Sequence, residues 1–393
     1  MMAPPYQSGA RQGQPPAHGG PTRHPPSSGP GRRAAHLAWR GCGAAALSAR
    51  PDLTPPGNVV AAVIGAARRF DRLVAPGTRR QPFESLLAQR ARLSPSLPMP
   101  VWGANLRGTA RLWRLRAGWL ALNLPRPSDV EALTALTLGD VSAFSLPLLR
   151  DWFAGQDGTP VLDRARDLGL AAALVPPGQP PQVQVEPWVF ARTGAAPRRT
   201  ERPRVVDFSG LWAGPLATRL LADAGCEVWS VDLRSRQARA SLPLDHRFES
   251  HLAEGKRRLV CDTLDAPDLR AALGAADIVV TASRWAALQR MGLDLRPDQI
   301  HLCLTAYGSD PANAARIGFG DDAAAAAGAV LWDDDGTPGF AADALGDPVA
   351  GMLGAVAVLH HLHAAEGGRI DLSLERACRW AIGPDPLAGL GQP

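Results

Sequence analysis

Lysine is almost absent from this chain: Lys256 stands against 41 arginines. That skew reads as genomic base composition and not as a functional signal. Cysteine is scarce too. Cys42, Cys226, Cys261, Cys303 and Cys378 lie far apart, odd in number and without a CxxC pair. This spacing excludes a disulfide framework and a cysteine-rich metal site, and points to reduced thiols in a cytoplasm. No apolar run approaches the roughly 18–20 residues of a membrane-spanning helix, and the N-terminus lacks the apolar core of a secretory signal. Acids are missing from residues 1–40, which hold Arg11, Arg23, Arg32, Arg33 and Arg40. The formal net charge of +5 therefore belongs to this segment, since residues 41–393 carry 37 basic and 37 acidic side chains. A neutral body weakens a nucleic-acid reading, which needs Lys and Arg clustered on a folded face, and no nucleic-acid partner is expected.

Proline and glycine are plentiful at the start, with eight and six in residues 1–35. Such a segment buries too little apolar surface to offset its ordering entropy, so a disordered basic tail is expected there. Residues 36–73 read as two helical pieces separated by the turn-rich 51–57, with Asn58 at the N-cap of the second. Residues 109–115 and 118–124 read as a hairpin, 127–177 as helical, and 195–203 as a linker. From residue 204 strands and helices alternate. Strands are expected at 204–208, 227–231, 258–262, 277–281 and 300–305, and helices at 266–274 and 284–291. A further helix should take Pro215 as its first residue and end at Gly225. The alternation predicts an α/β fold, a doubly wound, mostly parallel sheet in a Rossmann-like large domain over 202–380. Residues 36–195 would form a second region that includes a smaller α+β domain, and 381–393 a flexible C-terminal tail.

The strand–loop–helix at 204–225, followed by Asp232, has the outline of a dinucleotide site. Gly210-Leu-Trp-Ala-Gly-Pro is not GxGxxG, however, and lacks the close glycine pair that lets a pyrophosphate approach the backbone. A NAD site is therefore not expected. His360, His361 and His363 look metal-like in spacing, but no cysteine or carboxylate set accompanies them. At a helix end, cationic histidines suit the dipole, and no metal is assigned. Residues 346–362 align without gaps on 57–73, with six of 17 positions identical. In this internal repeat Asp347 corresponds to Asn58: the amide keeps helix capping and loses anionic chemistry.

Six segments in order carry a family resemblance. Val205-Val-Asp-Phe-Ser-Gly-Leu-Trp-Ala-Gly-Pro and its continuation to Val228 resemble the opening of the family III CoA-transferases. This CaiB/BaiF-like group includes formyl-CoA and carnitine-CoA transferases and 2-methylacyl-CoA racemases. Gly255-Lys-Arg-Arg is similar to the family's GKRS strand. Ala276-Asp-Ile-Val-Val with Leu288-Gln-Arg-Met-Gly is similar to its ADVVVE…LERLG segment, and Leu304-Thr-Ala-Tyr-Gly to its SITGYG. Leu345-Gly-Asp-Pro-Val-Ala-Gly is similar to its aspartate motif, and Gly367-Gly-Arg-Ile-Asp-Leu-Ser to its GRGQxVDVS. Residues 42–73 resemble the middle of the family around a degenerate aspartate motif, and Gly118-Trp-Leu-Ala-Leu-Asn the start of its smaller domain. The chain thus resembles the second half of one copy followed by the first half of another, in a homodimer or a pseudo-dimer fused in one chain.

The resemblance implies a mechanism. Asp347 would be the nucleophile that attacks an acyl-CoA thioester, and an acceptor carboxylic acid would then take the CoA. Asp347 would sit at an N-cap with Pro348 in the first helical position, where the helix terminus favours the carboxylate. By motif position, CoA would be held by Arg234 and Arg290, with Lys256 and Arg257 next, because arginine suits phosphate. Trp212 and Ala213 would line the CoA channel, and Tyr307 and Gly308 would shape the same cleft. No tightly bound cofactor is implied; acyl-CoA is a substrate. Two alternatives remain open. A racemase needs a second proton-transfer group, and Gly318-Phe-Gly-Asp-Asp322 lacks the histidine of that branch, leaving Asp321 or Asp322 for the role. A CoA-binding but inactive partner is the other, since one copy already carries Asn58.

Overall fold

A computed structural model of the chain describes residues 30–78, 80–94, 98–141, 144–178, 181–197, 200–233, 246–282, 285–290, 292–386 and 390. The expected tail over 1–29 lies outside them. Three strands form a small antiparallel layer in the order β1-β2-β3: β1 (Ala110–Arg114), β2 (Trp119–Asn123) and β3 (Ala171–Val175). The expected hairpin is β1–β2, in register from Ala110↔Asn123 to Arg114↔Trp119. Gly118 supplies the left-handed backbone its turn requires, at φ +85°. Helices Leu146–Ala154 and Gly158–Asp167 cover one face, with Trp113 stacked on Phe153 at 4.9 Å. The expectation of helix throughout 127–177 fails at β3. Its Ala-Ala-Ala-Leu-Val favours helix locally, but pairing with β2 overrides that preference.

The remaining strands are β4 (Val189–Arg192), β5 (Arg204–Asp207), β6 (Glu227–Leu233), β7 (Lys256–Cys261), β8 (Ile278–Ala282), β9 (Ile300–Thr305), β10 (Val330–Trp332), β11 (Pro338–Phe340) and β12 (Gly368–Ser373). Seven of them form the main sheet, in the order β4-β12-β9-β8-β5-β6-β7. All neighbours are parallel except β4, which closes the edge antiparallel to β12. Central β8 and β9 are buried and nearly continuous in apolar residues, as parallel strands covered on both faces must be. The order reverses between β5 and β8. In open α/β sheets the crevice outside the strands' carboxyl ends at such a switch is where ligands bind. The doubly wound architecture is therefore present, and it predicts where a site should lie.

Two helices stack behind that crevice. Helix Ala213–Asp223 follows β5 and buries Leu216, Leu220 and Leu221. It begins two residues before the expected Pro215, whose missing N–H still falls among the first-turn groups without intrahelical partners. Gly225, at φ +96°, turns the chain out of it. Helix Gly346–His363 is buried along almost its whole length and packs on Ala213–Asp223. The approach depends on Gly351, where a Cβ would lie 2.8 Å from the carbonyl oxygen of Ala213. The aligned segment of the internal repeat is also a helix, Val59–Leu73, and it packs on Gly346–His363. Asn58 caps it as expected, accepting from the Ala61 N–H at 3.0 Å.

A helix, Pro30–Gly41, already occupies the last residues assigned to the N-terminal tail and buries Trp39. At the other end, Ile382 and Leu390 are buried in the main core. The polar stretch before β1 contains two short helices, Phe83–Leu86 and Gln89–Leu93. All five cysteines are free and buried. Among the described residues no helix is long and apolar enough to cross a membrane.

Candidate active site

Asp347 enters the first turn of helix Gly346–His363 at the carboxyl edge of the main sheet. Gly346 lies against Leu374, just past β12, and the Glu375 N–H donates to the Ala306 carbonyl, just past β9, at 3.0 Å. The expected N-cap role is not the one observed. The helix starts at Gly346 after Leu345, one residue before Asp347, and Pro348 is its third residue. The Asp347 N–H donates to the Ala344 carbonyl at 2.8 Å. This releases the carboxylate from capping, and among the described residues it accepts no hydrogen bond. Gly320 makes room for it: a Cβ there would collide with Asp347 Oδ2 and the Ala344 carbonyl.

Three more acids crowd this spot, each with its own donors. Asp321 and Asp322 open helix Gly320–Ala327 and are buried. Asp321 accepts from Asn105 Nδ2 at 2.6 Å and from the Ala344 N–H at 2.9 Å. Asp322 accepts from the Tyr307 hydroxyl at 2.5 Å, the Phe319 N–H at 3.0 Å and Asn123 Nδ2 at 3.3 Å. Buried Asp343 is held by Arg90: Nε donates to Oδ2 at 2.6 Å and Nη2 donates to Oδ1. Arg90 also lies over the Trp212 ring at 4.9 Å.

Burial and repulsion between carboxylates push Asp347, Asp322 and Asp321 toward their neutral forms. Asp347 is raised to about 7, first by burial of the carboxyl and then, against the pull of Arg90, by Asp321, Asp343 and Asp322. Burial likewise raises Asp322 to about 7 and Asp321 to about 6, with Asp343 adding to the latter. Burial also drives the Tyr307 phenol upward, helped by Asp322, so it stays protonated and donates. The Asp347 residue keeps some solvent contact, as a reacting group needs.

Backbone strain concentrates here. Of the five non-glycine residues with positive φ among those described, Ala342 (+59°) and Ala344 (+45°) flank Asp343, and Leu211 (+66°) precedes Trp212. Such conformations persist only where the surrounding packing dictates them, and they cluster at functional sites.

The other sequence-predicted residues fall in different places. Trp212 is buried edge-on to Phe248 at 5.0 Å, and Ala213 starts the helix after β5, at the switch-point crevice. Tyr307 and Gly308 follow β9; the Gly308 N–H donates to Thr305 Oγ1 at 2.9 Å. Lys256 is engaged by groups within the fold. Its ammonium donates to the Pro215 carbonyl and Thr218 Oγ1, both at 2.7 Å, and stands 3.7 Å from Asp207. Burial lowers its pKa to about 8 despite Asp207. Arg257 lies on edge strand β7, paired with Glu227 at 3.0 Å and stacked over Trp229. Arg290 ends the short helix Trp285–Arg290 in an exposed position. Arg234 lies outside the described residues.

The histidines are not the cationic set expected. His360 meets Arg69 at 2.8 Å; His361 meets Glu366 at 3.0 Å and stacks on Phe190. Burial lowers the pKa of both. Sequence reasoning missed Arg90, Asn105 and Asn123. Each meets its acid across about 200 residues or more of chain, and no local pattern marks them.

Residues 202–392 match the profile of CoA-transferase family III. The chain is 31% identical over 188 residues to the Mycobacterium tuberculosis protein named "Probable fatty acyl-CoA transferase Rv3272", covering 43% of this chain and 48% of that one. It is 27% identical over 199 residues to succinate–glutarate CoA-transferase of Agrobacterium fabrum, covering 44% and 50%. The chain thus spans about half the length of the curated relatives it matches. The crystal structure of the same Mycobacterium tuberculosis protein superposes over 46% of this chain and 56% of that chain, at 25% identity and a TM-score of 0.39. A CaiB/BaiF family protein from Brucella suis does so over 45% and 53%, at 21% identity and a TM-score of 0.38. The likeness to CoA-transferase family III therefore lies in the second half of the chain, residues 202–392.

Proposed function

We propose that this protein moves coenzyme A between carboxylic acids, with Asp347 as the covalent nucleophile. The observation that carries this reading is the free carboxylate of Asp347. It is uncapped, unbonded among the described residues, partly open to solvent and set at the carboxyl edge of the sheet. An Asp347 oxygen attacks the acyl-CoA thioester carbon, and the C–S bond breaks to give an acyl-aspartyl anhydride and CoA thiolate. The thiolate attacks the Asp347 carbonyl carbon, releasing the donor acid and leaving an aspartyl-CoA thioester. The acceptor carboxylate attacks that thioester and expels the thiolate, which then takes the acceptor acyl group and restores Asp347. The N–H groups of the helix's first turn favour anionic oxygens formed there. Attack requires ionised Asp347, so turnover should rise with pH through about 7.

Trapping tests the reading. The protein is incubated with a panel of acyl-CoAs, quenched with hydroxylamine or borohydride, and mapped by mass spectrometry. Modification at Asp347 is expected, with turnover reduced at least about 10³-fold in Asp347→Asn. CoA binding with no adduct across the panel would instead indicate a binding protein without transferase chemistry. One observation favours a second reading: Asp322, with a pKa near 7 in the same cluster, can exchange protons at neutral pH. An epimerase of 2-methylacyl thioesters would incorporate deuterium at C2 in D2O, and a transferase would not.

A further inference from the structure

We propose that Arg90, supplied by the first half of the chain, is the positioning residue of the Asp347 site: it anchors the 342–346 turn through Asp343 and holds the Trp212 loop against the same cation. This inference rests on the reading of Asp347 as the nucleophile.

The geometry is that of a junction. Arg90 lies on helix Gln89–Leu93 and is buried. Its fork makes two parallel bonds to Asp343, a buried carboxylate that no other donor reaches among the described residues. Its flat face covers Trp212, the residue that leads into the helix after β5. Asp343 sits between Ala342 and Ala344, both in left-handed backbone, and the Ala344 carbonyl takes the Asp347 N–H. Moving the Asp343 carboxylate would therefore move the acceptor that seats Asp347. Lysine keeps the charge but cannot make the double bond or stack in the same way.

The charges agree with this placement. The groups facing Asp347 are Arg90, Asp321 and Asp322 on helix Gly320–Ala327, Asp343 on the turn, and Cys378 on helix Leu374–Ala381. Cys378 is held neutral by burial, with Glu375 and Asp347 adding to the effect. Tyr307 and Arg316 stand behind Asp322, with the guanidinium 3.5 Å above the phenol ring. Arg90 is thus a cation placed against three carboxyl groups, Asp343, Asp321 and Asp347. It counters the repulsion that would otherwise keep Asp347 protonated.

The test reads Asp347 directly. The intact protein is treated across pH 5–9 with a diazo reagent that esterifies protonated carboxyls, and labelling at Asp347 is quantified by peptide mass spectrometry. In Arg90→Gln the midpoint at which labelling falls off should move up by about one pH unit. In Asp343→Asn it should move down, and in Arg90→Lys it should stay near the wild-type value while transfer slows at least tenfold. The double variant Arg90→Gln/Asp343→Asn leaves no unpaired buried charge, and its midpoint should still rise, because the pull of Arg90 exceeds the push of Asp343. An unmoved midpoint in the double variant, or full transfer in Arg90→Lys, overturns the proposal. Absence of transfer in the wild type with the midpoint pattern intact would instead sink the CoA-transfer reading and leave the placement of Arg90 standing.

Discussion

Asp321, Asp322 and Asp347 all hold protons to higher pH in the fold than in the unfolded chain, where an aspartate titrates near ~3.9. The folded state therefore binds more protons between about 4 and about 7. Stability falls as pH rises through that window, and the contribution is fully lost above the folded values. Asp347→Asn removes one of these groups. The variant should match the wild type near pH 4.5 and exceed it by about 2 kcal/mol at pH 8, a discounted share of the full linkage because Asp347 retains solvent contact. Urea midpoints at the two pH values check this, and an equal difference at both would show that Asp347 ionises freely. Gly320→Ala should act on the same group by sterics. Its methyl would meet both the Ala344 carbonyl and Asp347 Oδ2, so transfer should drop at least about 100-fold; unchanged kcat would mean the turn yields without cost. At this scale local motifs single out Asp347, Tyr307 and Trp212 as candidates, and the fold brings Asp347 and Tyr307 to one acid cluster, with Trp212 joined to it through Arg90. Local motifs do not show Arg90, because the partner that gives Arg90 meaning lies 253 residues away.

Elements were legible where pattern and packing agree. β9 runs over the expected 300–305, and helices Pro267–Ala275 and Trp285–Arg290 lie within a residue of expectation. Errors arose where a local preference met a tertiary demand, as in the alanine-rich β3 and the helix start one residue before Asp347. Lys256 is the instructive case. Its motif suggested a phosphate ligand, but β7 carries it beneath helix Ala213–Asp223, where it ties Pro215 and Thr218 to Asp207. Asp207 also accepts from the Ser209 N–H at 2.8 Å and from Thr218 Oγ1 at 2.5 Å. Lys256 thus secures the loop that leads to Trp212. Lys256→Met leaves Asp207 buried beside an apolar chain and should cost about 3–5 kcal/mol. Lys256→Met/Asp207→Asn should recover much of that loss. Chemical denaturation of the two variants decides it; equal stability of the single variant and the wild type would show that the clamp contributes nothing.

The whole molecule joins a first stretch of chain to the family-like residues 202–392, and the parts of that first stretch are not equally joined to it. Residues 39–87 share one apolar core with the second half, through Trp39, Phe70 and Phe83 beside Trp212, Leu353 and Trp380. β4 completes the edge of the main sheet against β12. These parts should unfold together, since neither can expose its face without exposing the other's. The layer β1–β3 is different. Its outer face packs into a cluster drawn only from residues 113–172, while the inner face meets helix Gly320–Ala327 and the β10–β11 hairpin. A small, mostly local core opens at lower free energy than a large shared one. Hydrogen exchange in subdenaturing urea should therefore release Trp113, Leu122 and Ala172 before Val280 and Leu302, which lie mid-sheet. Asn105 and Asn123, which donate to Asp321 and Asp322, belong to that layer or its approach, so the acid cluster should lose transfer activity at the lower transition. Simultaneous loss of protection in both sets of amides would show a single cooperative unit. It would also remove the reason to expect activity to fade before the main sheet unfolds.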